Sequence, residues 1–341
     1  MTQPSPQSAA RRSSHWKTSM ARKYIIVVIC GVLVIGTAIG FTVYQQLAHA
    51  QSFHPTPVVR YLGVHEEDAP NSYFDVDQFA QAIGRQPNLV SYYSPWLVPF
   101  QVGFATLATE HGAVTLIQMD PTNVSLANIA AGRYDDFLRT YATAVKAFRT
   151  RVVLSFGHEM NGNWYSWGYQ HTRAAVFVAA WRHIVTVFRA SGASNVIWLW
   201  TVNIIDNDNP IHIPNPAPWW PGKSYVTWVG IDGYYYLSSS SFAQVFGPTI
   251  VAVRALTGDP ILIAETGADV AADQPAKIND LFTGIRTFGL LGFVWFDEDV
   301  EGRAWRLSSP AAFAAFRRDA QAFLRPPASP SPAQLSSSDS S

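Results

Sequence analysis

The sequence predicts an α/β protein built as a (β/α)₈ TIM barrel, and three observations lead to this fold class. Short runs of β-branched and aromatic residues alternate with longer segments that fit helices. Each short run is apolar on both parities, which is typical of parallel strands covered on both faces. Eight such runs lie within residues 58–324, and this count favours a barrel over a doubly wound sheet, which usually needs fewer strands.

The predicted strands are evenly spread along this region. In chain order they are residues 58–64, 89–94, 113–119, 151–157, 195–202, 227–234, 260–265 and 291–296. Segments 134–150 and 172–192 have apolar residues at i, i+3, i+4 and i+7, so they predict helices, and the second ends at Gly192. The catalytic residues of such barrels lie directly after the strands, in the loops at their carboxyl ends.

The first residues form a separate region. Residues 24–44 carry no charge and are long enough to cross a bilayer, whereas residues 1–23 are basic. The positive-inside rule keeps residues 1–23 in the cytoplasm and exports the chain after a 45–57 linker. Two interpretations stay open: an uncleaved transmembrane or signal-anchor helix at the cell membrane, or a signal peptide cleaved after Ala50 and a secreted protein. Residues 325–341 are rich in Pro and Ser and predict a disordered tail.

Charge and cysteine content exclude several classes of function. Five of the 24 Lys and Arg lie in the first 50 residues, which contain no Asp or Glu, so the rest has 19 basic against 24 acidic residues. A net negative domain argues against nucleic acid as a partner. The one cysteine, Cys30, lies in the apolar segment. The barrel therefore has no disulfide and no cysteine-bound metal.

Polar residues follow the strands at the positions where catalytic groups are expected: Glu159, Asn203, Asp232, Tyr234, Glu265 and Asp297. The pair His158-Glu159 matches the start of the zinc motif H-E-x-x-H. Gly162 stands at the fifth position of that motif, so the second metal ligand is missing and no zinc site is predicted.

Glu159 and Glu265 end the fourth and seventh predicted strands and therefore face each other across the barrel mouth. Retaining glycoside hydrolysis uses two carboxyl groups about 5 to 5.5 Å apart, one as acid/base and one as nucleophile. Aromatic neighbours predict a raised pKa for Glu159, whereas the small neighbours in "AETG" suit an ionised Glu265. The alternative is that each glutamate belongs to a buried structural ion pair.

Two motifs carry a resemblance to a known family. "GHEMNGNWYSWG" at residues 157–168 resembles the acid/base signature of glycoside hydrolase family 26, and "IAETG" at 263–267 is similar to its nucleophile motif. That family contains β-mannanases and smaller groups acting on β-1,3-xylan and mixed-linkage β-glucan. The resemblance covers residues 58–324. It implies Glu159 as acid/base, Glu265 as nucleophile, and no metal or organic cofactor; a histidine at position 158 is also typical of the family.

The resemblance implies further substrate-binding residues. Tyr234 resembles the tyrosine that hydrogen-bonds the nucleophile, and Trp295 resembles the tryptophan that stacks under the sugar at the cleavage point. For both, packing in the core is the alternative. Asn203 is expected to bond a sugar hydroxyl or to cap a loop. His158 is expected at the sugar as well, and three rings after the acid/base are predicted as exposed sugar platforms: Trp164, Tyr165 and Trp167.

The sequence thus predicts an exported, retaining endo-β-glycanase whose partners are a polysaccharide and, through an uncleaved N-terminal helix, the membrane. β-Mannan is the leading substrate. Gln118 and Asp120 in "QMDPTN" stand where mannanases of the family often present a histidine, which argues against mannan. Mixed-linkage β-glucan, β-1,3-xylan and self-made exopolysaccharide are the alternative substrates. A non-catalytic carbohydrate-binding barrel is the alternative class, although loss of one glutamate would be its signature and both are present.

Overall fold

Eight parallel strands close into a barrel in the computed structural model, which describes residues 60–206, 212–300 and 302–323. The strands pair in chain order, and the eighth pairs with the first. Each strand ends within two residues of its predicted end, so the predicted barrel is confirmed. The strands are β1 Tyr61–His65, β2 Leu89–Pro95, β3 Val114–Asp120, β4 Val152–Phe156, β5 Val196–Asn203, β6 Trp228–Asp232, β7 Ile261–Thr266 and β8 Gly292–Phe296.

Helices surround the barrel. They are α1 Phe74–Ile83, α2 Val102–Glu110, α3 Leu126–Ala130, α4 Asp135–Phe148, α5 Ala174–Ala190, α6 Phe242–Arg254, α7 Gln274–Thr287 and α8 Pro310–Phe323. The two helices predicted from periodicity are α4 and α5. Helix α6 begins with a capping box, in which the Ser241 hydroxyl accepts from the Gln244 amide and the Gln244 side chain bonds the Ser241 amide.

The connection from β5 to β6 departs from the prediction of eight βα units. In the described part of this connection the only helical segments are two 3₁₀ turns, Ala217–Trp219 and Lys223–Tyr225. The sequence between the two strands contains five prolines. Proline lacks the amide hydrogen that an α-helix needs and clashes with the preceding turn, which explains why the described part of this connection contains no α-helix.

The two parities of the strands face different surroundings. One parity fills the barrel interior with Leu89, Leu116, Val153, Leu199, Trp228, Leu262, Ala264 and Val294, and Leu291, which directly precedes β8, joins this cluster. The other parity contacts the helices: Trp198 of β5, for example, lies 5.2 Å from Phe188 of α5 between ring centroids. Trp198 therefore packs against a helix. Full burial of one leucine or valine of the barrel interior stabilises the fold by roughly 1.5 to 3 kcal/mol.

A β-bulge in β7 changes the direction of its last side chains. Ile231 pairs with Ile263, but Asp232 pairs with Glu265, so β7 contains one extra residue against β6. Ala264 belongs to the interior cluster, and Glu265, the next residue, lines the cleft at the barrel mouth. Regular alternation would point these neighbours to opposite faces, so the bulge is what turns Glu265 inward.

Several predicted segments lie outside the described residues. These are the basic segment 1–23, the transmembrane or signal-anchor helix 24–44, the linker 45–57 and the tail 325–341. None of the helices in the described part of the chain is long and apolar enough to span a bilayer.

Candidate active site

A cleft of about 980 Å³ opens at the carboxyl ends of the strands. Both glutamates singled out from the sequence line it, Glu159 after β4 and Glu265 on β7. On the Glu265 side the cleft is bounded by an aromatic wall, defined here as Tyr234, Tyr236 and Trp305. The structure therefore brings the two carboxyl groups to one cavity, at the face of the barrel where the sequence places them.

Glu159 is held by hydrogen bonds on both carboxyl oxygens. The Trp164 indole Nε1 donates to Oε2 at 2.7 Å, and the Asn203 amide donates to Oε1. Burial raises the pKa of Glu159, while the charge of His158 and the two donors act in the opposite direction. Burial outweighs these opposing influences, so the pKa of Glu159 lies above its ordinary value, as a proton donor requires.

The backbone at Glu159 is in a strained conformation. Its φ angle is +54°, in the left-handed region that non-glycine residues seldom adopt. The Glu159 amide donates to the Thr201 carbonyl of β5 at 3.0 Å, which fixes the turn. Three residues on, a Cβ at Gly162 would lie 2.3 Å from the Trp164 ring. Glycine at that position therefore allows Trp164 to fold back onto Glu159.

His158 lies beside Glu159 with both ring nitrogens bonded. Its Nδ1 is 2.8 Å from Oδ1 of Asp120 at the end of β3, and its Nε2 is 3.1 Å from the Tyr165 hydroxyl. Burial acts to lower the pKa of His158, but the charge and hydrogen bond of Asp120, with smaller contributions from nearby Glu159 and Asp232, raise it to about 9. His158 is therefore a cation at neutral pH, next to the first glutamate.

The three rings after Glu159 have different roles. Trp164 is 40% exposed and lines the cleft, as does Tyr165. Trp167 is only 5% exposed, stacks on Tyr165 at 4.4 Å between ring centroids, and donates to the His158 carbonyl at 2.8 Å. The expectation of an exposed platform is therefore wrong for Trp167, because its indole supports the turn that carries His158.

Glu265 accepts hydrogen bonds from two tyrosine hydroxyls, Tyr93 of β2 on Oε2 and Tyr234 on Oε1. The Tyr234 contact is the one that the family resemblance implies. Burial, followed by the charge of Glu298, raises the pKa of Glu265 to about 8. The two hydroxyl donors bond the ionised carboxylate and act in the opposite direction.

Trp295 does not line the cleft, contrary to the expectation of a ring under the sugar. Its side chain is fully buried and packs on Phe316 of α8, with 5.7 Å between ring centroids. Val294, one residue earlier, belongs to the barrel interior, so alternation along β8 turns Trp295 outward to the helices. Phe296, the next residue of inward parity, lines the cleft instead.

The remaining strand-end residues are distributed as follows. The side-chain amide of Asn203 donates to Glu159, and the backbone N–H of Asn203 donates to the side-chain oxygen of Asn161 at 2.8 Å, which fixes its position. Asp297 accepts from the Leu307 amide at 2.6 Å and is absent from the cleft lining. Asp232 is fully buried, and neither of its carboxyl oxygens has a hydrogen-bond partner among the described residues. Burial raises the pKa of Asp232 well above its ordinary value.

Sequence reasoning missed Tyr93 and Trp305. Tyr93 lies on β2, which has no motif, and its parity is that of Leu89, a residue whose inward direction only the structure shows. Trp305 lies in the connection after β8, and its ring centroid is 4.5 Å from that of Tyr234. Gln118 and Asp120 stand where mannanases of the family often have a histidine. Asp120 lines the cleft, while Gln118 is buried and does not line it. Among the described residues, no cluster of His, Cys, Asp and Glu could hold a metal ion.

Glycosidases use two carboxyl groups that face one cleft, and in this barrel Glu159 and Glu265 both line the cleft at the carboxyl ends of the strands. The sequence model of glycosyl hydrolase family 26 matches residues 100–281. The chain therefore belongs to glycosyl hydrolase family 26.

Named relatives add detail. Endoglucanase H of Acetivibrio thermocellus is 29% identical over 302 residues, covering 84% of this chain and 32% of that protein. Mannan endo-1,4-beta-mannosidase A and B of Caldalkalibacillus mannanilyticus is 31% identical over 85 residues, 23% of this chain and 15% of that protein. The chain thus spans a third or less of these relatives. The Bacillus subtilis mannanase BCman shares the fold, with a TM-score of 0.58 and 20% identity over 83% of this chain and 91% of that chain.

Proposed function

We propose that this chain is a retaining endo-β-glycanase. The carrying observation is that Glu159 and Glu265 line one cleft in unlike surroundings. Glu265 attacks the anomeric carbon and forms a glycosyl ester, while Glu159 gives its proton to the departing glycosidic oxygen. Glu159 then removes a proton from water as the water oxygen attacks the anomeric carbon, and the bond between this carbon and the Glu265 oxygen breaks. Glu265 is released as a carboxylate, and the sugar keeps its β configuration.

The neighbouring residues suit these two roles. The hydroxyls of Tyr93 and Tyr234 stabilise the carboxylate that Glu265 needs for attack. The cationic His158 beside Glu159 stabilises the carboxylate that remains after the proton has been given to the leaving group. Glu159 therefore gives up and recovers its proton in surroundings that stabilise its carboxylate form as well as its protonated form.

A β-glucan, with mixed linkages included, is the substrate class that the observations favour. Endoglucanase H, whose similarity covers 84% of this chain, carries the name of an endoglucanase. A carboxylate, Asp120, lines the cleft at the end of β3. β-Mannan is the second candidate, supported by the mannosidase whose similarity covers 85 residues. We also propose export of the barrel, on the basis of the apolar segment 24–44.

The test uses the purified full chain on mixed-linkage glucan, mannan, glucomannan and β-1,3-xylan. Release of reducing ends with a rapid fall in viscosity is expected, because an endo-acting enzyme cuts within the polymer. Proton NMR of the first product is expected to show the β anomer before mutarotation. Immediate appearance of the α anomer would exclude retention. Binding of these polymers without any cleavage would instead support a non-catalytic barrel.

A further inference from the structure

The side-chain amide of Gln274, at the start of α7, joins two loops of the cleft. Gln274 is 3% exposed, and its Nε2 lies 3.0 Å from the Ala268 carbonyl, 3.2 Å from that of Trp305 and 3.1 Å from that of Arg306. Ala268 belongs to the loop after β7, and the other two carbonyls belong to the connection after β8. Replacement of this amide would leave buried carbonyl groups without donors, which is costly.

The loop after β7 is in turn bonded to the loop after β6. Tyr235 donates its amide to the Gly267 carbonyl at 3.0 Å, and the Asp269 amide donates to the Tyr235 carbonyl at 3.0 Å. Tyr235 stands between Tyr234 and Tyr236, two members of the aromatic wall. Hydrogen bonds thereby link consecutive loops, from the loop bonded by Gln274 to the loop that carries the tyrosines of the cleft.

The connection after β8 supplies the third member of the wall. The Trp305 ring lies 4.5 Å from Tyr234 and 5.3 Å from Tyr236 between centroids, and Tyr234 donates to Glu265. A second link between these loops is the ion pair of Arg303 with Asp269 at 3.4 Å, in which Arg303 is 51% exposed. Exposed ion pairs contribute little, so the buried amide of Gln274 is the stronger connection.

We propose that Gln274 is a positioning residue, which holds Trp305 against Tyr234 and so sets the shape of the glycan-binding wall beside the nucleophile. The inference rests on the proposed glycanase function. Gln274 does not line the cleft, and its main route to the substrate runs through Trp305, because two of its three carbonyl partners lie in the connection that carries this ring. This dependence separates positioning from a general contribution to stability.

The test is a double-mutant cycle between Gln274→Met and Trp305→Ala, measured on the polysaccharide that the wild type cleaves best. Gln274→Met keeps the length of the side chain and removes its donors. We expect kcat/KM to fall about tenfold or more, chiefly through KM, since small displacements of positioning groups are costly. In the Trp305→Ala background the same change is expected to add less than about twofold, because its route to the substrate is gone.

Gln244→Met is the matched control, since Gln244 caps α6 at an exposed position; its kinetics should equal those of the wild type. Hydrogen exchange at residues 302–309 gives a readout that needs no catalysis, and Gln274→Met should accelerate it without affecting 158–168. Wild-type KM and exchange, or equal losses in both backgrounds, would overturn the proposal. Failure of both Gln274→Met and the milder Gln274→Asn to fold would also overturn it. A wild type inactive on every glycan would instead contradict the proposed function, while the exchange measurement still tests the coupling.

Discussion

The two glutamates of the cleft differ in what donates to them. Glu159 is bonded by an amide and an indole N–H and has the His158 cation beside it. Glu265 is bonded by two tyrosine hydroxyls, and the charge that acts on its pKa is that of Glu298. Similar burial with unlike partners is the means by which one cavity can hold two carboxyl groups in different protonation states. Substitution of either glutamate tests this difference.

The largest effect is expected on the tyrosine side. Glu265→Ala should lower kcat on every glycan by about 10⁵-fold or more, because the covalent intermediate cannot form. Single-turnover assays with mass spectrometry of the protein should detect no glycosyl ester. The control is Glu110→Gln, an exposed carboxylate at the end of α2, which should behave as the wild type. Turnover near the wild-type rate in Glu265→Ala would show that another group is the nucleophile.

On the other side, Glu159→Ala should affect substrates unequally. Cleavage of polysaccharide is expected to fall by about 10²- to 10⁴-fold, the usual contribution of a general acid. An aryl glycoside with an acidic phenol as leaving group needs no proton, so formation of its glycosyl ester should stay close to the wild-type rate. Burst kinetics with this substrate measure that step. Equal losses on both kinds of substrate would assign Glu159 a structural role.

A smaller effect is expected when one hydroxyl donor to Glu265 is removed. Tyr93→Phe should raise the pKa of Glu265 above its present value of about 8, because the lost donor stabilised the carboxylate. A hydrogen bond to a charged group contributes about 1.5 to 3 kcal/mol, or one to two pKa units. The acid limb of the kcat/KM profile should therefore move to higher pH.

The adjacent residue provides the control for that profile. Tyr92 is buried against Phe104 of α2, on the opposite face of β2. Tyr92→Phe should leave the acid limb in place. Equal displacement of the limb in both variants would mean that stability, and not the donor on Glu265, determines the profile.

The smallest effect concerns His158, whose pKa of about 9 is raised above its ordinary value of 6.5. The protonated ring therefore stabilises the fold below pH 6.5, and this stabilisation is lost as the pH rises towards 9. Asp120→Asn removes the main raising influence. Urea unfolding should show the variant less stable than the wild type at pH 6, with the difference shrinking by pH 9. Asp136→Asn, at an exposed pair with Arg139, should give a difference that does not vary in this window.

The sequence predicted the barrel because eight apolar runs and the positions of their ends are local features. It also placed Glu159 and Glu265 at the mouth, since strand ends of a barrel converge there. It could not assign directions. Strands covered on both faces are apolar on both parities, so nothing in the pattern shows that Trp295 points to the helices or that Tyr93 points to the cleft. Gln274 depends on contacts between distant loops, and Trp167 depends on how the single loop after β4 folds back on itself; no periodic pattern contains either.

The bulge in β7 makes the location of Glu265 a matter of residue count as well as residue type. A regular strand that kept Ala264 would place this alanine opposite Asp232 and turn the Glu265 carboxylate towards the helices. An alignment that pairs Ala264 with Asp232 would match in length and still put the carboxylate on the wrong face. Transfer of the site to another barrel must therefore preserve the pairing of the glutamate with the residue at the Asp232 position, either with the bulge or without Ala264.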